Sequence, residues 1–184
     1  MKKIVFFTFL SLILFITPIF AQDYNCIIYF TGIGCPNCKM TDPITLEEMP
    51  EKYPNLIIIE YEIYKQTENG PVMSQYISNY NLYPGVPQIL FNKNKNLVGR
   101  NDVLELENEL KKMSSNPCPM IDGSSIDFND LDVISLPGKP NIWTKQNILI
   151  SSKEYTDNEI LKQILTSENL TKTLNRKSSK LVII

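Results

Sequence analysis

Two cysteines that lie one helical turn apart constrain this chain more than any other feature. They are Cys35 and Cys38, in the stretch TGIGCPNCKMTDPI at residues 31–44. A Cys-x-x-Cys spacing suits a redox pair, two ligands of a metal ion, or a structural disulfide. The chain contains no histidine, which excludes catalysis by histidine and zinc sites of the mixed cysteine and histidine kind.

The residues that follow the first cysteine predict a helix from Cys35 to about residue 49. Pro36 suits the first helical position, where no backbone donor is needed. The sulfur of Cys35 would then face free backbone N–H groups and the positive end of the helix dipole, which favour a thiolate. Cys38 would lie on the same face within bridging reach, and Pro43 would kink the helix.

The first 21 residues predict an export signal. A basic start is followed by an uncharged apolar run at residues 4–20, and Ala21 offers a small residue for cleavage. The alternative is an uncleaved membrane anchor, because the run is nearly long enough to span a bilayer. In either case we expect the remaining chain to be exported: periplasmic, secreted, or anchored with its domain outside the cytosol, where disulfides persist.

The composition predicts a packed domain without a nucleic-acid partner. With 43% hydrophobic residues, the chain has enough apolar surface for a core. The formal net charge is −2 and there is no basic block, so binding to nucleic acid is not expected.

Hydrophobic patterning predicts an α/β protein with a central mixed sheet flanked by helices. In the second strand, Glu60 and Glu62 alternate with apolar residues, as if the strand emerged from the core. Asp102 is the expected N-cap of the helix before the boundary. We place a main domain at residues 22–114 and a small α+β extension at residues 120–184. In the main domain, the predicted strands are residues 26–30, 55–64, 88–91 and 97–99, and the predicted helices are residues 71–80 and 102–113. In the extension, the predicted strands are residues 132–137, 141–144 and 148–152. The extension also has a possible hairpin at 144–147 and a predicted helix at 156–165.

Two motifs resemble those of the thioredoxin family, and they occur in the same order along the chain. CPNCKMTDPITLEEMPEKY matches its Cys-x-x-Cys helix, and NYNLYPGVPQILFNKNKNLVG matches its loop ending in Val-Pro, buried strand and return strand. The resemblance covers about residues 24–113. It implies a thioredoxin-like fold in which Pro87 is cis and packs against the cysteine pair. It also implies that Cys35 is the nucleophile and that Cys38 resolves the mixed disulfide.

The same resemblance implies a substrate cleft. Val86 would offer backbone groups to an extended substrate segment, as a short added strand. With Val86 and Pro87, the substrate-binding residues would be Gly34, Pro36 and Asn37. Tyr83 is near enough to the Val-Pro loop to line this groove.

Several positions depart from the family pattern. Residues 31–34 replace aromatic residues, and Tyr29 stands where the family often has a buried acidic residue that helps to remove a proton from the second cysteine. Pro36 and Asn37 form an unfamiliar inner dipeptide. Gln88 replaces a common threonine and would face the site. In the family, residues at these positions influence the pKa of the thiols and the reduction potential of the cysteine pair. The sequence therefore does not show whether the protein reduces, oxidises or isomerises disulfides.

These features predict an exported thiol–disulfide oxidoreductase that acts on protein thiols and disulfides, without a dissociable cofactor and without a resident metal. A membrane disulfide-relay protein would be its electron donor. The chain also resembles the extracytosolic segments fused to disulfide-transporting membrane proteins. The alternative is a non-enzymatic interaction or soft-metal-carrier module with the same fold, whose two thiolates bind a partner or metal.

The other candidate residues have simpler expected roles. Cys26 and Cys118 form either a second disulfide or two buried thiols. Trp143 is expected to be a packing anchor. Asp42 and the Glu47–Glu48 pair are expected on a solvated helix face, whereas Tyr76 and Tyr80 are expected to pack. Asn169 begins a glycosylation sequon.

Overall fold

A mixed β-sheet forms the centre of the protein. The computed structural model describes residues 23–145, the backbone of residues 148–150, and Asn158 and Lys162. The strands in this part are β1 (Asn25–Thr31), β2 (Leu56–Glu62), β3 (Gln88–Asn92), β4 (Lys95–Val98), β5 (Cys118–Pro119), β6 (Ser125–Ile126), β7 (Asn141–Trp143) and β8 (Ile148–Ile150). Within the described residues, six strands form one sheet in the order β4-β3-β1-β2-β7-β8, while β5 and β6 form a separate pair.

β1 and β2 run parallel at the centre of this sheet, and the other neighbouring strands pair antiparallel. Every residue of β1 and β2 is buried, which matches a pair of central strands covered on both faces. The expectation that Glu60 and Glu62 emerge from the core is therefore wrong. β7 pairs with the outer edge of β2 and covers it. The hydrophobic pattern within a single strand does not predict this pairing.

The helix at the cysteine pair is continuous but changes its winding. α1 (Pro36–Asp42) leads into a wider π-helical segment at Pro43–Glu48, and α2 (Met49–Lys52) follows. Instead of the predicted kink at Pro43, the helix thus changes its type locally. Such a change is common where a proline interrupts the backbone hydrogen bonds of a helix.

The remaining helices are α3 (Asn69–Tyr80), α4 (Gly99–Val103) and α5 (Leu106–Leu110). The predicted helix at 102–113 is therefore two short helices, and Asp102 lies inside α4 instead of capping it. The helix begins earlier because Gly99, with φ of 80°, turns the chain directly out of β4.

The two faces of the sheet carry separate apolar clusters. One lies between the sheet and the helices α2, α4 and α5 and includes Tyr29, Ile58 and Leu106. The other lies under α3 and includes Phe30, Tyr61, Tyr76 and Tyr80, so the packing predicted for the last two is confirmed. Glu47 and Glu48 are exposed as predicted.

The segment after residue 119 completes the second cluster. Phe128, Leu131, Leu136 and Ile142 pack into the core with Phe30. The predicted strand at 132–137 is instead a 3-10 turn at Val133–Ser135. Its cause is local: the Asp132 side chain accepts a hydrogen bond from the backbone of Ile134 at 3.1 Å. The strands on either side of the predicted hairpin pair as β7 and β8.

Three predictions fall largely outside the described residues. They are the export signal at residues 1–21, the helix at 156–165 and the sequon at Asn169. Within the predicted helix at 156–165, Asn158 and Lys162 are described, and both are helical. In the described ranges, no helix has the length and apolar character needed to cross a membrane.

Candidate redox site

Cys35 begins the helix α1 at the end of the loop that follows β1. Its backbone is extended, with φ of −73° and ψ of 121°, and its sulfur accepts a hydrogen bond from the backbone N–H of Cys38 at 3.2 Å. Pro36 occupies the first helical position. Cys35 is therefore the N-cap residue of the helix, as predicted, and its sulfur lies at the positive end of the helix dipole.

Cys35 and Cys38 form a disulfide-bonded pair, with a Cα–Cα distance of 5.2 Å. Cys38 is completely buried, whereas Cys35 keeps 8% of its surface exposed. Gly34, Pro36 and Asn37 are exposed around it. Of the two cysteines, only Cys35 thus keeps any surface that another molecule could reach.

The Val86–Pro87 peptide bond is cis, as predicted. β3 begins at Gln88, directly opposite Phe30 near the end of β1, so this bond and the cysteine loop lie at the same end of the sheet. Val86 is half-buried and Pro87 is buried. Contact between Pro87 and the cysteine pair stays a prediction.

Gln88, which the sequence analysis expects to face the site, has no surface exposed to a substrate. Its side chain is fully buried beside Phe30. Within the described part of the chain, neither polar atom of its amide has a hydrogen-bond partner. By contrast, Tyr83 is 74% exposed, which leaves it available on the loop before Val86.

The carboxylate of Glu62 fixes the cysteine loop. One oxygen accepts hydrogen bonds from the backbone N–H groups of Ile33 and Tyr64, and the other accepts from Lys65 and Gln66, all at 2.8 Å. Burial alone would raise the pKa of Glu62, but these four donors outweigh it and lower the pKa. Glu62 therefore stays charged and links the residue two positions before Cys35 to the loop after β2.

A second polar network joins β1 to the last turn of α1. The Tyr29 hydroxyl donates to the Asp42 carboxylate at 2.7 Å, and Thr31 donates to the same oxygen at 2.7 Å. Tyr29 also contacts the hydroxyl of Thr41 at 2.9 Å. Burial raises the pKa of Tyr29, so it remains a neutral donor. Asp42 is half-buried, and its predicted place on a solvated helix face is wrong.

Glu60 is a buried carboxyl group on the same face of the sheet. It lies opposite Tyr29 in the parallel pairing of β1 and β2 and is 6% exposed. Its side chain accepts hydrogen bonds from the Trp143 indole at 2.5 Å and from the Asn141 amide at 3.2 Å. Trp143 is thus partly a packing residue, as expected, and partly a hydrogen-bond donor.

Glu60 and Glu62 have functional contacts that the sequence does not predict. The available signal was two charged residues, two positions apart, inside the run LIIIEYE. Charged side chains inside a central strand need partners. Their partners come from residues 33, 64–66, 141 and 143, which the sequence alone does not bring together.

Cys26 and Cys118 are also disulfide-bonded, with a Cα–Cα distance of 4.7 Å, and both are completely buried. Of the two possibilities that the sequence left open, the bridge is therefore present. Next to it, Asn116 donates to the backbone oxygens of Cys26 and Phe91 at 2.6 and 2.9 Å. This disulfide attaches the segment after α5 to β1, away from any surface where exchange would begin.

Residues 23–145 contain no cluster of three or more cysteine or carboxylate side chains arranged to hold a metal ion. Comparison of the chain with protein-family models, curated proteins and solved structures finds no match.

Proposed function

We propose that this protein is a thioredoxin-like thiol–disulfide oxidoreductase that acts on protein substrates outside the cytosol. The observation that carries the proposal is the position of Cys35, whose sulfur caps α1 and accepts a hydrogen bond from Cys38. A helix start stabilises a thiolate, and the thiolate is the species that attacks disulfides.

Further support comes from what surrounds the pair. A cis proline follows Val86 at the same end of the sheet. Four large apolar side chains are exposed in segments near this end: Ile33 at 61%, Met40 at 53%, Tyr64 at 53% and Tyr83 at 74%. Exposed apolar surface of this kind suits contact with another polypeptide.

The proposed reaction has two steps. The Cys35 thiolate attacks a substrate disulfide, forms a mixed disulfide and releases one substrate thiolate. Cys38 then loses its proton, attacks the Cys35 sulfur and releases the second substrate thiolate. The substrate gains two electrons, and the Cys35–Cys38 pair loses two and becomes a disulfide. In the other direction, the oxidised pair transfers its disulfide to a substrate dithiol.

We propose the location outside the cytosol from the sequence of residues 1–21, and the buried second disulfide supports it. Sustained reduction in such a compartment would need an electron donor, which we propose to be a membrane disulfide-relay protein.

The test uses the Cys38→Ser variant against the matched Cys35→Ser variant. After reduction, each is incubated with a protein substrate that contains an accessible disulfide. We expect Cys38→Ser to accumulate a mixed disulfide at Cys35, because the resolving thiol is absent, and Cys35→Ser to form none. Equal and slow reaction of the wild type and Cys35→Ser would overturn the proposal. Tight copper(I) binding without exchange would favour the soft-metal alternative instead.

A further inference from the structure

Arg100 is an exposed cation that two contacts place beside the candidate redox site. It lies in the first turn of α4, and the residue before it, Gly99, donates its backbone N–H to the Pro87 carbonyl at 2.8 Å. Its guanidinium group reaches the cysteine helix, where a distance of 3.3 Å joins Nη1 to the sulfur of Met40. The Arg100 side chain therefore extends from the segment bonded to the cis proline to the helix α1.

Met40 belongs to the exposed face of α1 that begins beside Cys35. Pro36, Asn37 and Met40 are all exposed, and residues three or four apart are neighbours on a helix surface. At the rise of an α-helix, Met40 lies about 7.5 Å along the helix axis from Cys35. The guanidinium group of Arg100 thus lies on the same surface as the cysteine that keeps some exposure.

Most of the hydrogen-bonding capacity of Arg100 is unused within the described residues. A thioether sulfur, such as that of Met40, is a weak acceptor. The other contact joins Nε to the side-chain oxygen of Asn101 at 3.4 Å, which is long for a hydrogen bond. A guanidinium group presents a planar fork of donors that matches both oxygens of a carboxylate. Arg100 can therefore bind a carboxylate at little cost in existing contacts.

No carboxylate of the described part of the chain neutralises this cation. In residues 23–145, five lysines form ion pairs with glutamates, whereas Arg100 and Lys39 form none. Asp102 is close in sequence, but residues two apart do not face each other on a helix. Lys39, which is exposed one turn after Cys35, adds a second positive charge to this surface. Since the whole chain has a formal net charge of −2, the positive charge here is a local feature.

We propose that Arg100 determines specificity at the redox site by binding an acidic side chain of the substrate polypeptide close to the reactive cysteine. An extended chain advances about 3.3 Å per residue, so the separation of about 7.5 Å between Cys35 and Met40 corresponds to about two residues of substrate. The substrate carboxylate replaces the weak contact with the Met40 sulfur by charge-assisted hydrogen bonds. This inference rests on the proposed function and adds a substrate class to it.

The test uses the reduced full chain and three synthetic peptides. Each peptide has one cysteine, blocked as a mixed disulfide with a 2-thiopyridyl group, and carries Glu, Gln or Lys two positions before and two positions after that cysteine. The Cys35 thiolate attacks the peptide sulfur and the bond to the pyridyl sulfur breaks. The released pyridine-2-thiolate takes a proton from solvent and becomes 2-thiopyridone, whose absorbance gives the second-order rate constant.

At low ionic strength, we expect the wild type to react about two- to fivefold faster with the Glu peptide than with the Gln peptide, and slowest with the Lys peptide. Arg100→Met should bring the Glu-to-Gln ratio close to one, and Arg100→Glu should reverse the order. High salt should reduce the ratio in the wild type, because it screens exposed charges. The matched control is Lys93→Met, which removes the same charge from an exposed position at the other end of β3 and should keep the wild-type ratio.

Equal rates with the Glu and Gln peptides in the wild type would overturn the inference, and so would a ratio that Arg100→Met leaves unchanged. If Arg100 acted only by stabilising the Cys35 thiolate, its removal would change all three rates by one factor and leave the ratio as it was. Exchange without a preference for the Glu peptide refutes this inference alone. Exchange no faster than that of Cys35→Ser with every peptide refutes the proposed function, and this inference with it.

Discussion

The Tyr29 hydroxyl donates a 2.7 Å hydrogen bond to the Asp42 carboxylate, and this contact joins the first strand to the cysteine helix. Tyr29 is completely buried, and its position along β1 is the one where the resemblance leads us to expect an acidic residue. The structure instead brings a carboxylate to the same region from the helix. The ring of Tyr29 fills the core, and its hydroxyl fixes the orientation of Asp42.

Removing this hydroxyl with Tyr29→Phe should weaken the attachment of α1. The change deletes a buried hydrogen bond to a charged acceptor but leaves the donor Thr31 in place. We expect the free energy of unfolding to fall by about 1 to 2 kcal/mol, measured by urea denaturation. A loss below about 0.3 kcal/mol would show that Asp42 is held by other contacts. Tyr53→Phe, a tyrosine on the same side of the sheet, is the control.

Glu62→Gln should destabilise the protein near neutral pH. Four backbone N–H groups share the two oxygens of Glu62, and an amide replaces one acceptor with a donor. We expect a loss of about 2 kcal/mol. Because the folded-state pKa of Glu62 is lowered, its stabilisation is present above about pH 4.5 and is lost as pH falls through the folded-state pKa. Urea denaturation between pH 7 and pH 3 should therefore show that the free energy of unfolding falls less with decreasing pH in the variant than in the wild type.

Glu60→Gln, two residues earlier on the same strand, should behave in the opposite way. The folded-state pKa of Glu60 is raised, so the folded protein keeps a proton that the unfolded chain has already released. The wild type should therefore lose stability as pH rises from about 4.5 to the folded-state pKa. Glu60→Gln should remove this loss, which makes the two variants controls for each other. Parallel pH profiles for the two would contradict the assignment of their environments.

Replacement of the buried disulfide, as Cys26→Ala/Cys118→Ala, should reduce stability without abolishing thiol exchange. The bridge closes a loop with a sequence separation of 92 residues, for which the chain-entropy estimate is about 4 to 5 kcal/mol. Denaturant unfolding measures the loss, and exchange by the folded fraction should continue because Cys35 and Cys38 are unchanged. Complete loss of exchange in folded protein would mean that this pair also takes part in the chemistry.

Local patterns in the sequence predicted much of the site. The cis bond before Pro87 was implied by the resemblance of the Val-Pro loop. The cysteine helix, the capping position of Cys35 and the buried face of α3 depend on residues close together in the chain. Short-range rules for proline, helix caps and periodic apolar residues are sufficient for such features.

The parts that the sequence did not predict depend on contacts between distant residues. Glu60 and Glu62 looked like the exposed end of a strand, because nothing near them indicates that β7 covers β2 or that the loop at 64–66 folds onto Glu62. Asp42 looked solvated, because its donors Tyr29 and Thr31 belong to β1. In each case the charged group was visible in the sequence and its partner was not.

The most direct test of the account is site-resolved alkylation of the reduced chain by a small reagent at neutral pH. Cys35 should react first, and faster than a cysteine in an unstructured peptide, because the residue keeps some exposed surface and its sulfur lies at a helix start. Cys38, which is completely buried, should remain largely unmodified. Reaction at Cys38 before Cys35, or reaction of Cys35 more slowly than the peptide, would contradict the account.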